Sequence, residues 1–272
     1  MSELLIWWSE PLLRPALIAG VLTSVLCGAL GTFVVLRRLA FLCGGLSHAA
    51  FGGLGLCHLL QLPPQAGGLA TTAVAALLLG PMSRRKALNR DALIGAFWAV
   101  GMAAGVLFLH FAPGYPPDLS AYLFGNILLV TTGDLWLLAT LDAVTLLLLG
   151  LFYKEIVAST FDETFAATQG VPVRWLSTLL LLLVGAAVVV LLPVVGLLLV
   201  LALLTIPPLI GLRLCRSLPG VLSTAVVGGM VITLGGLWIS YLFDAPSGPC
   251  IIVLGTALLL AVYGVTGLTR RA

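Results

Sequence analysis

Apolar positions in this chain come in long unbroken runs, near residues 12–36, 41–62, 66–82, 92–112, 133–153, 175–192, 194–214, 219–242 and 250–268. They show neither the period-two alternation of half-buried strands nor the one-sided stripe of a soluble helix. Crossing a hydrocarbon core roughly 30 Å thick takes about 20 apolar residues in a helix, so the pattern predicts nine crossings, or eight if one pair is re-entrant. The expected fold class is all-α: a polytopic membrane helical bundle of eight to nine transmembrane helices, forming one transmembrane domain over residues 1–272. Leu, Val, Ala and Gly runs without alternating segments exclude a barrel.

Composition sharpens this reading. Only 8% of residues are charged and 61% are hydrophobic, against about 25% charged in soluble domains. The mean hydropathy is +1.19. The opening MSELLIWWSEPLLRP has acidic Glu3 and Glu10 and no basic stretch before its apolar run, unlike a cleavable secretory signal. Five cysteines, Cys27, Cys43, Cys57, Cys215 and Cys250, are scattered without CxxC spacing and read as packing residues rather than disulfides or a zinc cage. A net charge of +3 does not point to nucleic acid, because the basic residues form short clusters between apolar runs.

Those clusters orient the chain. If every run crosses once, Arg37/Arg38, Arg84/Arg85/Lys86/Arg90, Lys154/Arg174, Arg213/Arg216 and Arg270/Arg271 fall on one side: twelve of the thirteen basic residues, Arg14 being the other. Cytoplasmic loops are enriched in Lys and Arg, so that side and the C-terminus are expected in the cytoplasm. The opposite loops, QLPPQ, HFAPGYPPD, a turn at Pro193, and DAPSGP, are Pro-rich and nearly uncharged. Pro193 and Pro207/Pro208 also interrupt two apolar runs, since neither position donates a backbone hydrogen bond.

One polar island breaks the pattern. Residues 154–174, KEIVASTFDETFAATQGVPVR, predict a short solvated helix between Thr160 and Gly170, on the basic side and shaped to be gripped by another protein. Gly170 suits the C′ position that ends such a helix.

Ionisable groups at bilayer depth are costly and mark functional sites. Two qualify: His48 in GGLSHAAFGG and Asp142 in LLATLDAVTLLLL. His48 lies on the small-residue face of Gly45, Ala49 and Gly53, and neutral imidazole ligates zinc, manganese or iron; a hydrogen bond to a neighbouring helix is the plain alternative. Asp142 faces a cavity, pairs with His48 or another polar group, or lies shallower than the run suggests. His58 and His110 fall near outer span ends, and Asp118, Asp134 and Asp244 read as caps or loop residues. There is no G-x-x-x-x-G-K-[ST], G-x-S-x-G or H-E-x-x-H, so no catalytic residue is assigned and the chain has no ATPase loop of its own.

Five segments together resemble the permease subunits of bacterial ABC importers for zinc, manganese and iron. They are LRRLAFLCGGLSHAAFGGLGL (36–56), DLSAYLFGNILLVTTGDL (118–135), FDETFAATQGVPV (161–173), VVGLLLVLALLTIPPLIGLRL (194–214) and GLWISYLFDAPSGPCIIVLG (236–255), in family order. The resemblance implies a homodimer in membrane lipid, a cytoplasmic ATP-binding subunit, and an extracytoplasmic metal-binding protein. It implies a divalent metal cation as cargo, zinc first with manganese or iron behind, and no permanently bound cofactor. Asp162, Glu163, Thr164 and Gly170 match the coupling helix that docks on the ATPase. The chain departs from the family at Gly44, where members typically carry an aspartate one turn before the SHA histidine. That loss removes a hard oxygen ligand, which Asp142 could supply from another helix. Two alternatives remain open: a permease for a chelated metal or other small solute, and a proton-coupled secondary transporter without an ATPase.

Overall fold

The structure is a computed structural model that describes residues 13–82, 90–113 and 119–269. Among these residues the chain is helical, without strands. The elements are α1 (Leu13–Leu36), α2 (Ala40–Leu59), α3 (Pro64–Met82), α4 (Arg90–Phe111), α5 (Leu119–Phe124), a 3₁₀ turn (Ile127–Leu129), α6 (Thr132–Leu151), α7 (Tyr153–Phe161), α8 (Glu163–Thr168), α9 (Val173–Val195), α10 (Leu197–Leu214), α11 (Leu218–Phe243) and α12 (Ser247–Thr269). Eight of the described helices are long and apolar enough to cross a membrane: α1, α2, α4, α6, α9, α10, α11 and α12. The other long helix, α3, opens on Pro-Gln-Ala-Gly-Gly and stands outside that set. The basic residues Arg84, Arg85, Lys86, Arg270 and Arg271, and Asp118, lie outside the described residues.

Long apolar helices are what hydrocarbon demands, because a peptide group there finds no water and must bond within its own helix. Side-chain exposure follows from the same solvent. α4 and α12 each bury only 17% of their apolar window, whereas α1, α2 and α9 bury 72%. Exposed Val100 and Leu107 on α4, and Val253 and Leu260 on α12, are therefore compatible with lipid or with another membrane subunit.

The chain forms two interleaved units. The first comprises Met1–Val35, Ser120–Val144 and Leu191–Ala272, and the second Leu36–Leu119 and Thr145–Val190, so α6 and α9 each contribute to both. In the first unit, glycines bring α1 against α10 and α11: a Cβ at Gly28 would lie 2.8 Å from the Val226 backbone, and one at Gly31 would collide with the Leu204 carbonyl. Ser24 and Thr233 hydroxyls meet across α1 and α11 at 3.1 Å. In the second unit, α2 packs on both α3 and α4, and a Cβ at Gly101 of α4 would fall 2.6 Å from the His48 carbonyl oxygen. Small residues at these contacts let backbones approach where lipid supplies no hydrophobic drive between helices.

The sequence places the break between the sixth and seventh runs at Pro193, but the structure carries Pro193 inside α9 and breaks the chain at Gly196. Gly196 has φ 80° and ψ 158°, a region that is essentially glycine-only, and its Cα abuts the Gly125 backbone. Pro207 and Pro208 likewise sit within a continuous α10. A proline in a buried helix bends it or frees a carbonyl that neighbours can satisfy, whereas a mirror-region φ ends it outright.

The capping assignments follow the sequence more closely. Asp134 accepts from the Thr131 amide at 3.1 Å and from its hydroxyl at 2.7 Å, opening α6. Asp244 closes α11 in the left-handed region with φ 48°.

Gly196→Ala is expected to destabilise the protein by about 1–3 kcal/mol through backbone strain and collision with Gly125. Gly150→Ala, in open space within α6, is expected to leave stability unchanged or raise it by up to about 1 kcal/mol. Thermal unfolding of the detergent-solubilised protein checks both.

Candidate functional site

Three sites follow from the sequence, and each lies within one unit. The first surrounds His48 on α2. Glycine at 44 and 45 leaves a bare strip of helix surface, and the indole of Trp98, from α4, lies directly on it. A Cβ at Gly44 would collide with Trp98 Cζ2, and one at Gly45 would stand 3.3 Å from Trp98 Nε1. The indole is flanked by Phe41, with ring centroids 4.9 Å apart, and by His48, 5.0 Å apart and tilted by 35°. The ring of Trp98 thus occupies the space into which a side chain at position 44 would project. Gly44 is explained by packing: no larger residue fits there while Trp98 holds this position.

Two polar atoms in this cluster, His48 Nδ1 and Trp98 Nε1, are buried without a hydrogen-bond partner. Their chemistry differs. A neutral imidazole nitrogen is a donor or a lone-pair acceptor according to tautomer, and as an acceptor it can ligate a metal, whereas the indole N–H is a donor only. Ser47, beside His48, is already satisfied by donating to the Cys43 carbonyl at 2.9 Å.

The second site is Asp142 on α6, in the first unit. It is 4% exposed, and neither carboxylate oxygen has a partner. Thr23 of α1 is fully buried with its own hydroxyl unpartnered, and Cys27, one turn further along α1, lies within electrostatic reach of the Asp142 carboxylate. An unpaired carboxylate at this depth is expensive unless a cation or proton accompanies it. Asp142 and His48 belong to different units. Among the described residues, no group of three or more His, Cys, Asp and Glu side chains gathers into a metal cage. All five cysteines are free thiols.

The third site is the polar island. The short helix expected between Thr160 and Gly170 is α8, and a separate helix, α7, precedes it, the two divided at Asp162. Asp162 is extended (φ −147°, ψ 98°) and its carboxylate accepts from the Phe165 amide at 2.8 Å, so it caps α8 rather than continuing α7. At the other end the Gly170 amide donates to Ala167 and the Val171 amide to Ala166, each at 3.1 Å, with Gly170 at φ 81°. This paired closure is a Schellman motif, which needs a left-handed residue at C′. Every residue from Phe161 to Gly170 is exposed except Ala166. Glu163, Thr164 and the apolar rings of Phe161 and Phe165, 69% and 60% exposed, share that surface. A shallow hollow lined by Glu163, Thr164, Ala167 and the start of α9 adjoins it.

Sequence reasoning missed Trp98, because a tryptophan in an apolar run reads as lipid-facing. It also missed Thr23 and Cys27, which nothing local ties to Asp142. Arg37 was legible only as a topology signal.

Eight apolar helices of membrane-spanning length among the described residues define a polytopic membrane protein. The pattern of the ABC 3 transport family matches residues 9–265, and the chain belongs to that family. It is 31% identical over 267 residues to the manganese transport system membrane protein MntC of Halalkalibacterium halodurans, covering 97% of this chain and 91% of that one. It is 39% identical over 244 residues to an uncharacterized membrane protein of Synechocystis sp., covering 90% and 87%. Among solved structures it is similar to PsaBC from Streptococcus pneumoniae in complex with Fab. The TM-score is 0.87 and the identity 27%, with 96% of this chain and 95% of that chain covered.

Gly44→Ala adds only the Cβ that Trp98 excludes, so it is expected to destabilise the protein by about 1–3 kcal/mol. Trp98→Ala alone is destabilising as a cavity, and the double variant is expected to be less destabilised than the sum of the two. A double-mutant cycle by thermal unfolding reads that coupling.

Proposed function

We propose that this chain is the membrane permease of an ATP-driven importer of divalent metal, working with a separate cytoplasmic ATPase. The observation that supports this most is the exposed helix α8. It is closed at both ends by hydrogen bonds, and together with its cap Asp162 and the preceding Phe161 it offers a partner an acidic pair and two aromatic rings. Energy enters such a subunit through contact rather than catalysis. The ATPase subunits close on ATP, their movement is passed to α8, and the bundle reopens toward the opposite side. The segment 154–174 and the C-terminus then lie in the cytoplasm of a bacterial plasma membrane, with an extracytoplasmic metal-binding protein delivering cargo to the Pro-rich side. Two copies of the permease pair in this reading, each engaging one ATPase.

His48 and Asp142 are the proposed metal-handling residues along the path. Relatives are named for manganese, which supports that ion. The donor set argues for a borderline ion such as zinc: the strip of α2 that holds His48 offers imidazole and no carboxylate, since Trp98 fills the space beside Gly44. The proposal is therefore a divalent transition-metal cargo, zinc first on donor chemistry and manganese close behind.

His48→Ala and Asp142→Asn are each expected to lower uptake of radiolabelled zinc or manganese by tenfold or more while the permease still copurifies with its ATPase. Normal uptake of both metals in both variants would remove these residues from the path. Replacing Asp162 and Glu163 together by Ala is expected to weaken ATPase binding by about tenfold, equivalent to about 1.4 kcal/mol, in a titration of detergent-solubilised subunits.

A further inference from the structure

The tight turn between α1 and α2 holds Arg37, followed by Arg38 in the left-handed region with φ 56°. The chain passes from the first unit to the second between Val35 and Leu36, immediately before this turn. An arginine at the cytoplasmic end of a span needs no explanation beyond orientation, and Arg38 beside it is exposed as that role requires. Arg37 is different. Its side chain is half-buried and its guanidinium reaches the helices on both sides of α8.

On the near flank, in α7, Nε donates to Thr160 Oγ1 at 2.9 Å, and Nη2 donates to Ser159 Oγ at 2.6 Å and to the Ile156 carbonyl at 3.2 Å. On the far flank, in α9, Nη1 donates to Ser177 Oγ at 3.0 Å. The two α7 hydroxyls are preset for this. Thr160 and Ser159 donate their own hydrogens to the Ile156 carbonyl, at 2.6 and 3.1 Å, which turns their lone pairs toward the guanidinium. Ile156 and Ser159 are buried, so the fork is anchored in packed structure rather than in a loop. A planar fork of five N–H donors bridges two helices in one geometry, whereas an ammonium on a flexible stem is a point charge without that directionality.

We propose that Arg37 is the positioning residue that clamps α7 and α9, the two flanks of α8, to the α1–α2 turn, so that displacement of α8 by the ATPase is passed to the membrane spans. This rests on the reading of α8 as the docking helix. Without the clamp, α8 still binds its partner, but α7 and α9 give way independently of the turn and ATP is hydrolysed without transport.

The test uses the complete transporter, with its own ATPase and binding protein, reconstituted in proteoliposomes. Uptake of zinc and manganese ions is measured beside ATP hydrolysis. Arg37→Lys and Arg37→Gln are expected to lower metal moved per ATP at least tenfold while hydrolysis stays within about twofold. Arg37→Lys is the decisive variant, because it keeps the charge and the topology signal but not the fork. A transported-metal-to-ATP ratio equal to the parent's in assembled Arg37→Lys transporter would overturn the proposal. If either Arg37 variant fails to assemble, Ser159→Ala with Ser177→Ala removes one acceptor from each flank with little loss of packing. That pair is expected to lower the ratio threefold or more, and an unchanged ratio overturns the proposal. The Asp162/Glu163 double Ala variant separates the two ideas. If it binds ATPase and transports normally, the docking reading falls and the clamp with it; if it fails to bind ATPase while Arg37→Lys keeps full coupling, the clamp alone falls.

Discussion

Hydrocarbon offers a peptide group no partner, and most of this structure follows from that constraint. Peptide groups at bilayer depth must find their partners within the protein, so the chain has little choice but long apolar spans. Side chains then obey the same rule in reverse. A polar atom placed among those spans is costly, so each one that is retained has either been satisfied or been kept for a purpose. Ser24, Ser47, Thr72 and Thr233 are satisfied, donating to the carbonyl one turn earlier on their own helices. His48, Trp98, Asp142 and Thr23 retain unpartnered atoms, and Arg37 is held by oxygen acceptors on two other helices.

Glycine makes those exceptions possible. The approach of α4 to α2 depends on the missing Cβ at Gly101, and the seating of Trp98 depends on Gly44 and Gly45. The same absence that lets two backbones meet beside His48 also removes any side-chain ligand from the adjacent turn. Helix α8 solves the opposite problem. It is exposed, only six residues long and too short to be stable as an isolated helix, so it is defined by its ends: Asp162 at the start, Gly170 at the close.

Much of this was legible in the sequence. Run length and composition are global properties set by the solvent, so the all-helical bundle and the positions of most spans could be read from them directly. The caps at Asp134 and Asp244 and the stop at Gly170 were legible because capping is local chemistry. The break at Gly196 was not. Pro193 is the stronger local signal, but a proline's lost hydrogen bond is tolerated inside a packed helix, while the conformation of Gly196 depends on the Gly125 backbone, which is remote in sequence. The helix α7 that precedes Asp162 was not legible, because its start at Phe152 carries no side-chain cap. Trp98 and Arg37 lay beyond sequence reasoning altogether. Each acts through residues on other elements, Gly44 and His48 for one, Thr160 and Ser177 for the other, and no spacing rule relates them.

The account turns on α8 being the cytoplasmic contact through which an ATPase drives the bundle. Accessibility of a single thiol measures this most directly: Thr164→Cys, labelled with a membrane-impermeant maleimide in right-side-out and inside-out vesicles, with and without the ATPase, and read as the increment over the parent's own cysteines. The account predicts labelling only from the cytoplasmic face and its loss when the ATPase is bound. Labelling from the outer face, or cytoplasmic labelling that bound ATPase leaves unchanged, would contradict it.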